Sequence, residues 1–599
     1  MRVTSGSGTT VSGWRTTAPR RFGALAGVAA AAVAIGVAEA VAVLTGSRSA
    51  PLIAVGGAVV DLAPGPLKRF ATDVFYVYDK IALLIGTAVL LGGFAALVGL
   101  VAVRSLRLGY AGIGLFGVLG VAAALTRPGA GPTAALPSLI GAALAAWLLR
   151  LLLAGPLGTS LVGPPLPGPA DRSATPQLPP PPQASSSPQL PPSPQPPSSS
   201  QLPSALPSAS PSSPAGPVPV PGRVDSPVPG PVENPAAPVF GPVDPVARRR
   251  FLTGVGAALG VAAVAGFGGR WLSTRRGVSA ARAAIELPVP ASPAPPLPAG
   301  VELAVPQLAP YVTPNRNFYR IDTALVVPQV DPEQWRLRIH GRVRNPITLS
   351  YADLLARPMI ERHITLACVS NEVGGELIGN ARWLGVPLGP LLAEAGPLDG
   401  ADQVVARAVD GWTCGSPTSV LTDGRDAMLA VGMNGVPLPI EHGFPVRVVV
   451  PGLYGYVSAC KWIVELELTS FADFDAYWVP RGWAAQGPIK TQSRIDTPRA
   501  RRTLAAGPVT VAGVAWAQHV GIRGVEVRVD DGDWEPATLA PTVGADTWVQ
   551  WSWQWAATSG EHTLRVRATD ATGAVQTGQA RRIDPDGATG WHTVPVTVN

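Results

Sequence analysis

Cys368 is the residue whose type and position most favour chemistry. It follows an apolar run at 365–367 and precedes a polar, glycine-containing segment. A lone cysteine at the end of a strand can act as a nucleophile, bind a soft metal or pack as a small buried side chain, and spacing alone leaves all three open. The other cysteines, Cys414 and Cys460, provide no C-x-x-C pair, so neither a zinc knuckle nor a disulfide scaffold is indicated.

Several segments around Cys368 combine aromatic, amide, histidine and basic side chains. In chain order they are 313–320 (TPNRNFYR), 365–372 (TLACVSNE), 379–388 (GNARWLGVPL), 441–447 (EHGFPVR), 451–455 (PGLYG), 461–462 (KW) and 590–592 (GWH). In this order they resemble the sulfite oxidase family of molybdenum enzymes, in which one cysteine ligates the metal beside a pterin dithiolene. The resemblance covers most of residues 300–599. Cys414 and Cys460 match no ligand of the family, so we expect them to pack, with Cys460 near the cofactor.

The resemblance implies a molybdenum–molybdopterin cofactor, with Cys368 as the thiolate ligand of the metal. The residues implied to bind the cofactor are Asn315, Phe318, Tyr319, Cys368, Asp410, His442, Arg447 and Lys461. Because the cofactor carries a dianionic phosphate, Arg447 and Lys461 would supply paired positive charge, and arginine can bind phosphate through two hydrogen bonds. Arg320 is the residue implied to orient a substrate, so Cys368 and Arg320 are the expected catalytic residues.

Three positions depart from the family and bear on the substrate. The family's Arg-Asn-His reads Arg320-Ile321-Asp322, so the arginine is kept and the histidine is lost. The Asn-Arg-Arg of animal enzymes reads Asn371-Glu372-Val373, which reverses the local charge, and the active-site tyrosine falls at Trp483. A sulfite pocket needs positive charge and donors. We therefore predict two-electron oxygen-atom transfer, cycling between Mo(IV) and Mo(VI), on a sulfoxide, sulfite or a related small S- or N-oxide.

The elements that position these residues belong to ordinary soluble protein. Runs that alternate polar and apolar side chains, as half-buried strands do, occur at 335–340, 524–529, 547–555 and 562–568. Short strands at this spacing favour an antiparallel sandwich. We predict an α+β sulfite-oxidase-type molybdopterin domain over residues 300–496 and an all-β Ig-like sandwich over 497–599. The resemblance further implies that the sandwich is a dimerisation domain.

The first 154 residues have a different character, because long apolar runs dominate them. Only 14% of the chain is charged and its mean hydropathy is +0.25, which indicates membrane spans. Runs at 22–44, 81–103, 108–126 and 133–153 each suffice to cross a bilayer, which takes about 20 residues. We predict a four-span α-helical membrane bundle over residues 1–154.

A proline-rich segment separates the two halves. Residues 155–247 are dominated by Pro, Ser, Gln and Ala, which cannot bury a core, so we predict an extended linker. The following arginines, Arg248 to Arg250, precede Phe251, Leu252 and a modest apolar run. This pattern resembles a twin-arginine export signal, and it also fits the positive flank of a fifth transmembrane helix over 248–270. Both interpretations place the arginines in the cytoplasm.

Basic residues set the expected orientation of the spans. When the spans are counted alternately, the arginine groups at 15–21, 104–107 and 150 fall on the same side as those at 248–250. The positive-inside rule makes that side cytoplasmic. We therefore predict a multi-pass protein of a bacterial plasma membrane with its catalytic domain outside the cytoplasm.

The electron supply must come from elsewhere. All six histidines lie beyond residue 300, and no C-x-x-C-H occurs, so we predict no haem in this chain. We predict a separate electron-transfer partner, a cytochrome or a quinone-linked protein, and a homodimer through the C-terminal domain. The chain has a net charge of +7, but its basic residues do not cluster with aromatic residues on one face. We therefore predict no nucleic-acid binding.

Two other classes of function are open to a chain of this composition. A non-catalytic membrane receptor or adhesin with an Ig-like ectodomain would need neither Cys368 nor the pterin-contacting segments. A transporter built from the N-terminal spans would need interior charges or polar pairs, and these spans carry few. The ordered segments around Cys368 favour an enzyme.

Overall fold

The computed structural model describes residues 20–46, 49–64, 79–127, 130–154, 245–275 and 278–599. The predicted linker over 155–247 lies outside the described residues up to position 244. The N-terminal helices are α1 (Arg20–Thr45), α2 (Pro51–Leu62), α3 (Asp79–Arg104), α4 (Leu106–Leu125), α5 (Leu136–Ala154) and α6 (Pro245–Arg275).

Four of the described helical segments are long and apolar enough to cross a membrane, judged by length and composition alone. They are Arg21–Thr45, Ala82–Arg104, Leu106–Leu125 and Pro132–Ala154. Their bounds match the four predicted spans to within a few residues. The predicted fifth span lies within α6, and both it and the twin-arginine-like signal stay predictions.

Helix α1 lies at the centre of the N-terminal helices and packs on α3, α5 and α6. The rings of Phe22 on α1 and Phe251 on α6 meet edge to face, with centroids 5.0 Å apart. At Gly36 the two backbones approach so closely that a Cβ would lie 2.4 Å from the carbonyl oxygen of Ala262. Small residues that let helix backbones meet are typical of packing between membrane helices.

The central part of the chain forms two five-stranded sheets with short helices between the strands. Its strands are β1 (Arg336–Gly341), β2 (Ile347–Ser350), β3 (Ile360–Ala367), β4 (Ile378–Pro387), β5 (Gln403–Ala408), β6 (Thr413–Pro417), β7 (Met428–Met433), β8 (Val436–Pro437), β9 (Arg447–Val449) and β10 (Ile463–Thr469). Its helices are α7 (Ser279–Ala283), α8 (Tyr351–Leu355), α9 (Leu388–Ala395), α10 (Thr418–Leu421) and α11 (Gly455–Ser458).

One sheet has the order β2-β1-β10-β5-β6, and the other has the order β3-β4-β7-β8 with β9 also paired to β7. The β1–β10 pair is parallel, and the other pairs of these two sheets are antiparallel. Strand β1 alternates exposed and buried side chains, as its sequence predicts, whereas every residue of the central strand β7 is buried. The second sheet carries the candidate site, because β3 ends directly before Cys368 and β9 begins at Arg447.

The C-terminal part is a sandwich of two sheets. Its strands are β11 (Gln492–Thr497), β12 (Thr503–Leu504), β13 (Gly507–Trp516), β14 (Ile522–Val529), β15 (Glu535–Pro536), β16 (Thr538–Leu539), β17 (Val549–Ala557), β18 (Gly560–Asp570) and β19 (His592–Val598). The sheets have the orders β11-β13-β17-β16 and β12-β19-β18-β14-β15. Trp551 and Val566, one from each sheet, are fully buried in the core between them.

The sandwich begins earlier in the chain than residue 497. Strand β11 pairs with β13 over residues 492–497, for example Ser493 opposite Ala515. The first strand therefore starts at Gln492. The physical reason is long-range pairing: the residues of β11 become a sandwich strand only because β13 offers them a hydrogen-bonding edge.

Candidate active site

Strand β3 delivers Cys368 to its end, as the sequence predicts. The strand ends at Ala367, and the Cys368 N–H then donates to the Leu377 carbonyl at 2.9 Å, which closes the loop 368–377. The Ser370 N–H lies 3.4 Å from the Cys368 Sγ. Burial raises the pKa of the Cys368 thiol, while Ser370 and the positive charge of Lys461 oppose the rise. A bound metal cation would stabilise the thiolate, which is the form that ligates metals.

Phe318 and Tyr319 form an aromatic wall beside this thiol. Their rings stack with centroids 5.2 Å apart, and Phe318 meets Trp383 and His442 edge to face, each at 5.7 Å. Burial raises the pKa of Tyr319, and Cys368 raises it further. The phenol is therefore neutral at physiological pH and lies within electrostatic reach of the cysteine.

His442 and Asn315 lie 127 positions apart in the chain and are hydrogen-bonded to each other. The Nε2 of His442 donates to the main-chain carbonyl of Asn315 at 3.1 Å. Burial and the charge of Arg447 lower the pKa of His442 to about 4, so its ring is neutral at pH 7. The Asn315 side chain accepts a hydrogen bond from Asn434 Nδ2 at 2.7 Å and donates to the Met433 carbonyl at 3.3 Å. These contacts fix the segment that leads into Phe318.

Among the described residues, the groups that contact the buried guanidinium of Arg447 are neutral. Its residue is 5% exposed, Nη1 donates to the His442 carbonyl at 3.2 Å, and the guanidinium lies 5.1 Å from the Trp383 ring centroid. Within the described part of the chain, Arg447 takes part in no ion pair. Burial lowers the pKa of Arg447 to about 10. A buried guanidinium that lacks a carboxylate is a ready partner for an anion, and phosphate fits it bidentately.

Lys461 and Arg320, two of the predicted site residues, meet at Asp322. Oδ2 of Asp322 accepts from Arg320 Nε at 2.9 Å and from Lys461 Nζ at 3.0 Å. The Asp322 and Lys461 side chains are 4% and 10% exposed, whereas Arg320 is 41% exposed. Burial lowers the pKa of Lys461 to about 8, although Asp322 counteracts this. The sequence predicts a phosphate as the partner of Lys461, whereas in this structure the ammonium pairs with Asp322. Asp322 stands where the family has a histidine, and the sequence did not predict this ion pair.

The remaining predicted residues lie around this centre. Asp410 is half-buried, and its Oδ1 accepts the main-chain N–H of Trp412 at 3.1 Å. Cys414 and Cys460 are both fully buried. Burial raises the pKa of the Cys460 thiol, and the neighbouring Cys414 thiol and Asp410 carboxylate raise it further. Trp483, the residue at the tyrosine position, packs against Tyr456 with ring centroids 5.8 Å apart.

The sandwich domain contributes contacts that the sequence patterns did not reveal. Arg494 on β11 donates from Nη1 to the Gly375 carbonyl at 2.8 Å. His592 at the start of β19 packs on Gly374, where a Cβ would lie 2.1 Å from the imidazole Cδ2. Both glycines belong to the loop 368–377 that follows Cys368. The one sequence pattern that touches these contacts is the Gly-Trp-His at 590–592. The resemblance indicates a place for this pattern in the sandwich and gives it no part in the site.

Comparison with known proteins agrees with this arrangement. Residues 324–478 match the oxidoreductase molybdopterin binding domain family, and residues 492–566 match the bacterial Ig domain family. The chain is 32% identical over 289 residues to mitochondrial sulfite oxidase of Mus musculus, which covers 41% of this chain and 52% of the mouse protein. It is 33% identical over 180 residues to the Bacillus subtilis oxidoreductase YuiH, covering 29% of this chain and 87% of YuiH.

Among solved structures, the sulfane dehydrogenase SoxCD of Paracoccus pantotrophus aligns with 48% of this chain and 82% of its own, at 25% identity and a TM-score of 0.43. The chain spans about half the length of the mammalian sulfite oxidases that it matches.

The fold and the matched segments define an oxidoreductase with a molybdopterin-binding domain followed by an Ig-like domain. The chain belongs to the sulfite oxidase family of molybdopterin-dependent oxidoreductases. The predicted family, the enzymatic character and the molybdenum–molybdopterin cofactor are thereby confirmed. The alternative of a non-catalytic receptor is not supported.

The residues present fit this cofactor on structural grounds. The buried guanidinium of Arg447 lacks a carboxylate among the described residues and matches the cofactor's phosphate. The Cys368 thiol lies at the start of a loop closed by its own main-chain hydrogen bond. A soft thiolate beside polar and aromatic groups suits molybdenum held by sulfur.

Proposed function

We propose that this chain is a membrane-anchored, extracytoplasmic enzyme that performs two-electron oxygen-atom transfer. The observation that carries the proposal is a chain of ring contacts: the buried Arg447 guanidinium packs on Trp383, and Trp383 meets Phe318, which stacks on Tyr319. The charges of both Cys368 and Arg447 act on the Tyr319 phenol. One group suits the metal and the other suits the phosphate of the same cofactor.

Different side chains are assigned to the metal, the phosphate, the pterin and the substrate. Bound molybdenum–molybdopterin would supply the oxygen-transfer and electron-storage chemistry. In the proposed assignment Cys368 ligates the metal, and Arg447 and Lys461 bind the phosphate. The pterin is contacted by Asn315, Phe318, Tyr319, Asp410 and His442. Arg320, which is 41% exposed, orients the substrate from the solvent side.

The substrate class is a sulfoxide, sulfite or a related small S- or N-oxide. Oxidation of sulfite consumes water and releases sulfate, two protons and two electrons. Reduction of a sulfoxide consumes two protons and two electrons and releases a thioether and water. Both reactions move one oxygen atom, so both suit the same centre and differ in the direction of electron flow.

Anchoring in a bacterial plasma membrane is supported by the four apolar helical segments. Together with the predicted fifth span within α6, these segments would place the sandwich and the molybdopterin domain outside the cytoplasm, with Arg104 and Arg150 inside. A cytochrome or a quinone-linked protein would then exchange electrons with the cofactor. Single cysteines introduced at Ser105 and at Val575, in a background free of exposed thiols, test this topology: only the second should react with an impermeant maleimide on intact cells.

The catalytic assignment is tested with full-length protein purified in detergent from a host that makes the cofactor. We expect about one molybdenum per chain, and dye-coupled turnover of at least one compound among sulfite, dimethyl sulfoxide, methionine sulfoxide and trimethylamine N-oxide. Cys368→Ala should lower activity by at least about 100-fold, because the metal loses its protein ligand. Cys414→Ala, a change at another buried cysteine, is the matched control and should retain activity. Full activity in Cys368→Ala would refute the proposal.

A further inference from the structure

Two cations at the candidate site share one carboxylate oxygen. Arg320 Nε and Lys461 Nζ both donate to Asp322 Oδ2, at 2.9 and 3.0 Å. The carboxylate is the more enclosed partner, since its side chain is 4% exposed. A carboxylate held between two cations stays ionised, so the three groups together carry one positive charge instead of two.

This triplet lies among the candidate cofactor residues, because Lys461 forms a β-bridge with Arg447. The positive charge of Lys461 also lowers the pKa of the Cys368 thiol and of the His442 ring. Arg320 is the more exposed cation of the triplet, since 41% of its side chain is accessible against 10% for Lys461. Asp322 therefore links the enclosed ammonium of Lys461 to the more exposed guanidinium of Arg320.

The shared carboxylate changes which substrates the site favours. A dianion such as sulfite or sulfate would approach Arg320 within a few ångströms of a fixed negative charge, and like charges at that distance disfavour binding in a partly desolvated site. A sulfoxide or N-oxide carries no net charge. Its oxygen can still accept a hydrogen bond from an Nη group of Arg320, because the contact with Asp322 uses Nε.

We propose that Asp322 is a specificity-determining residue that selects neutral S- or N-oxides over dianionic oxyanions. The inference rests on the proposed oxygen-atom-transfer function of the same site. Asp322 acts by holding Arg320 and Lys461 and by cancelling one unit of their charge.

The test compares Asp322→Asn with the native protein, using full-length, molybdenum-loaded enzyme. Sulfate serves as an inert dianion, and its Kd is measured by calorimetry. The second readout is the kcat/KM for sulfite divided by the kcat/KM for dimethyl sulfoxide. We expect Asp322→Asn to tighten sulfate binding by about 10-fold or more and to raise the ratio similarly, as loss of one nearby charge predicts.

Two further variants make the outcome specific. Asp322→Glu keeps the charge and should retain the native sulfate affinity. Asp473→Asn makes the same chemical change in the surface pair with Arg342, whose N–O distance is 2.5 Å, and should leave both readouts unchanged.

Unchanged sulfate affinity in a molybdenum-loaded Asp322→Asn variant would overturn the inference. Loss of molybdenum from this variant, with the metal retained in Asp322→Glu, would also overturn it, because Asp322 would then serve the cofactor and not the substrate. If the native enzyme turns over none of these compounds, the proposed function fails separately. The sulfate titration needs no turnover and still decides the role of Asp322.

Discussion

Arg494 in the C-terminal sandwich donates a hydrogen bond from Nη1 to the main-chain carbonyl of Gly375 at 2.8 Å. The same guanidinium pairs through Nε with Asp496 at 2.5 Å, and both side chains are 8% exposed. The bond joins the sandwich to the loop that follows Cys368. The Ig-like domain therefore supports the candidate site directly, in addition to any part it has in association between chains.

Replacing Arg494 should weaken this loop and the fold together. Arg494→Ala leaves the Asp496 carboxylate buried without its partner, so we expect a loss of about 3 kcal/mol in unfolding free energy. We also expect a broadened Mo(V) electron paramagnetic resonance signal, because the loop after the proposed ligand becomes looser. Arg565→Ala, which removes a surface pair with Asp531, is the control and should change neither measurement. A native-like spectrum in Arg494→Ala would contradict support of the metal site by the sandwich.

A methyl group at Gly374 should be poorly tolerated. Gly374 has φ +79°, and its Cβ would lie 2.1 Å from Cδ2 of His592. We expect Gly374→Ala to lower the unfolding free energy by about 2 kcal/mol or more, from backbone strain and overpacking together. Chemical denaturation measures this. Gly544→Ala, at a glycine with open space around its Cβ direction, should cost much less; equal losses in the two variants would argue against the contact.

Arg447 should favour binding of the cofactor at some cost to the empty protein. In cofactor-free protein, Arg447→Met replaces a buried charge with a hydrophobic side chain, so we expect a Tm equal to or above the native value. In cells that make the cofactor, the same variant should retain at most about a tenth of the native molybdenum. Metal analysis and calorimetry on both preparations separate the two effects. Arg357→Met, which breaks the surface pair with Glu394, should keep its molybdenum. Native molybdenum content in Arg447→Met would refute the phosphate assignment.

Acidic pH should destabilise the protein through two histidines. Burial lowers the pKa of His442 and of His592 to about 4, below the value near 6.5 of an unfolded histidine. The unfolded chain therefore binds more protons between these values. The contribution of these neutral histidines to the unfolding free energy is fully present above about pH 6.5. It is lost progressively as the pH falls towards 4. His442, which is 3% exposed, should account for about 2–3 kcal/mol of the loss.

Denaturation of cofactor-free protein between pH 7 and pH 4.5 measures this dependence. His442→Gln cannot protonate and should flatten the curve. His562 behaves in the opposite sense, because its bond to Asp530 raises its pKa. Its contribution is present at low pH and is lost as the pH rises, so His562→Gln should steepen the curve slightly or leave it unchanged. An unaltered slope in His442→Gln would count against the neutral buried imidazole.

The sequence by itself determined the features that depend on neighbouring residues. The apolar run before Cys368 specifies strand β3 and hence the cysteine at its end. The long apolar runs specify four helical segments of membrane-spanning length, because hydrophobicity and length are local properties. Alternating side chains specify the strands of the sandwich, and the ordered segments specify the family and the cofactor.

Only the tertiary structure decided which distant groups meet. Lys461 and Asp322 are 139 positions apart, and Arg494 and Gly375 are 119 apart. No periodicity or motif encodes such pairs, because they form only when the sheets and the sandwich have closed around the loop after Cys368. The same holds for strand β11, which belongs to the sandwich because of its pairing with β13. The proposed metal ligand could thus be inferred from the ordered sequence segments, whereas the charge around it depends on contacts across the folded chain.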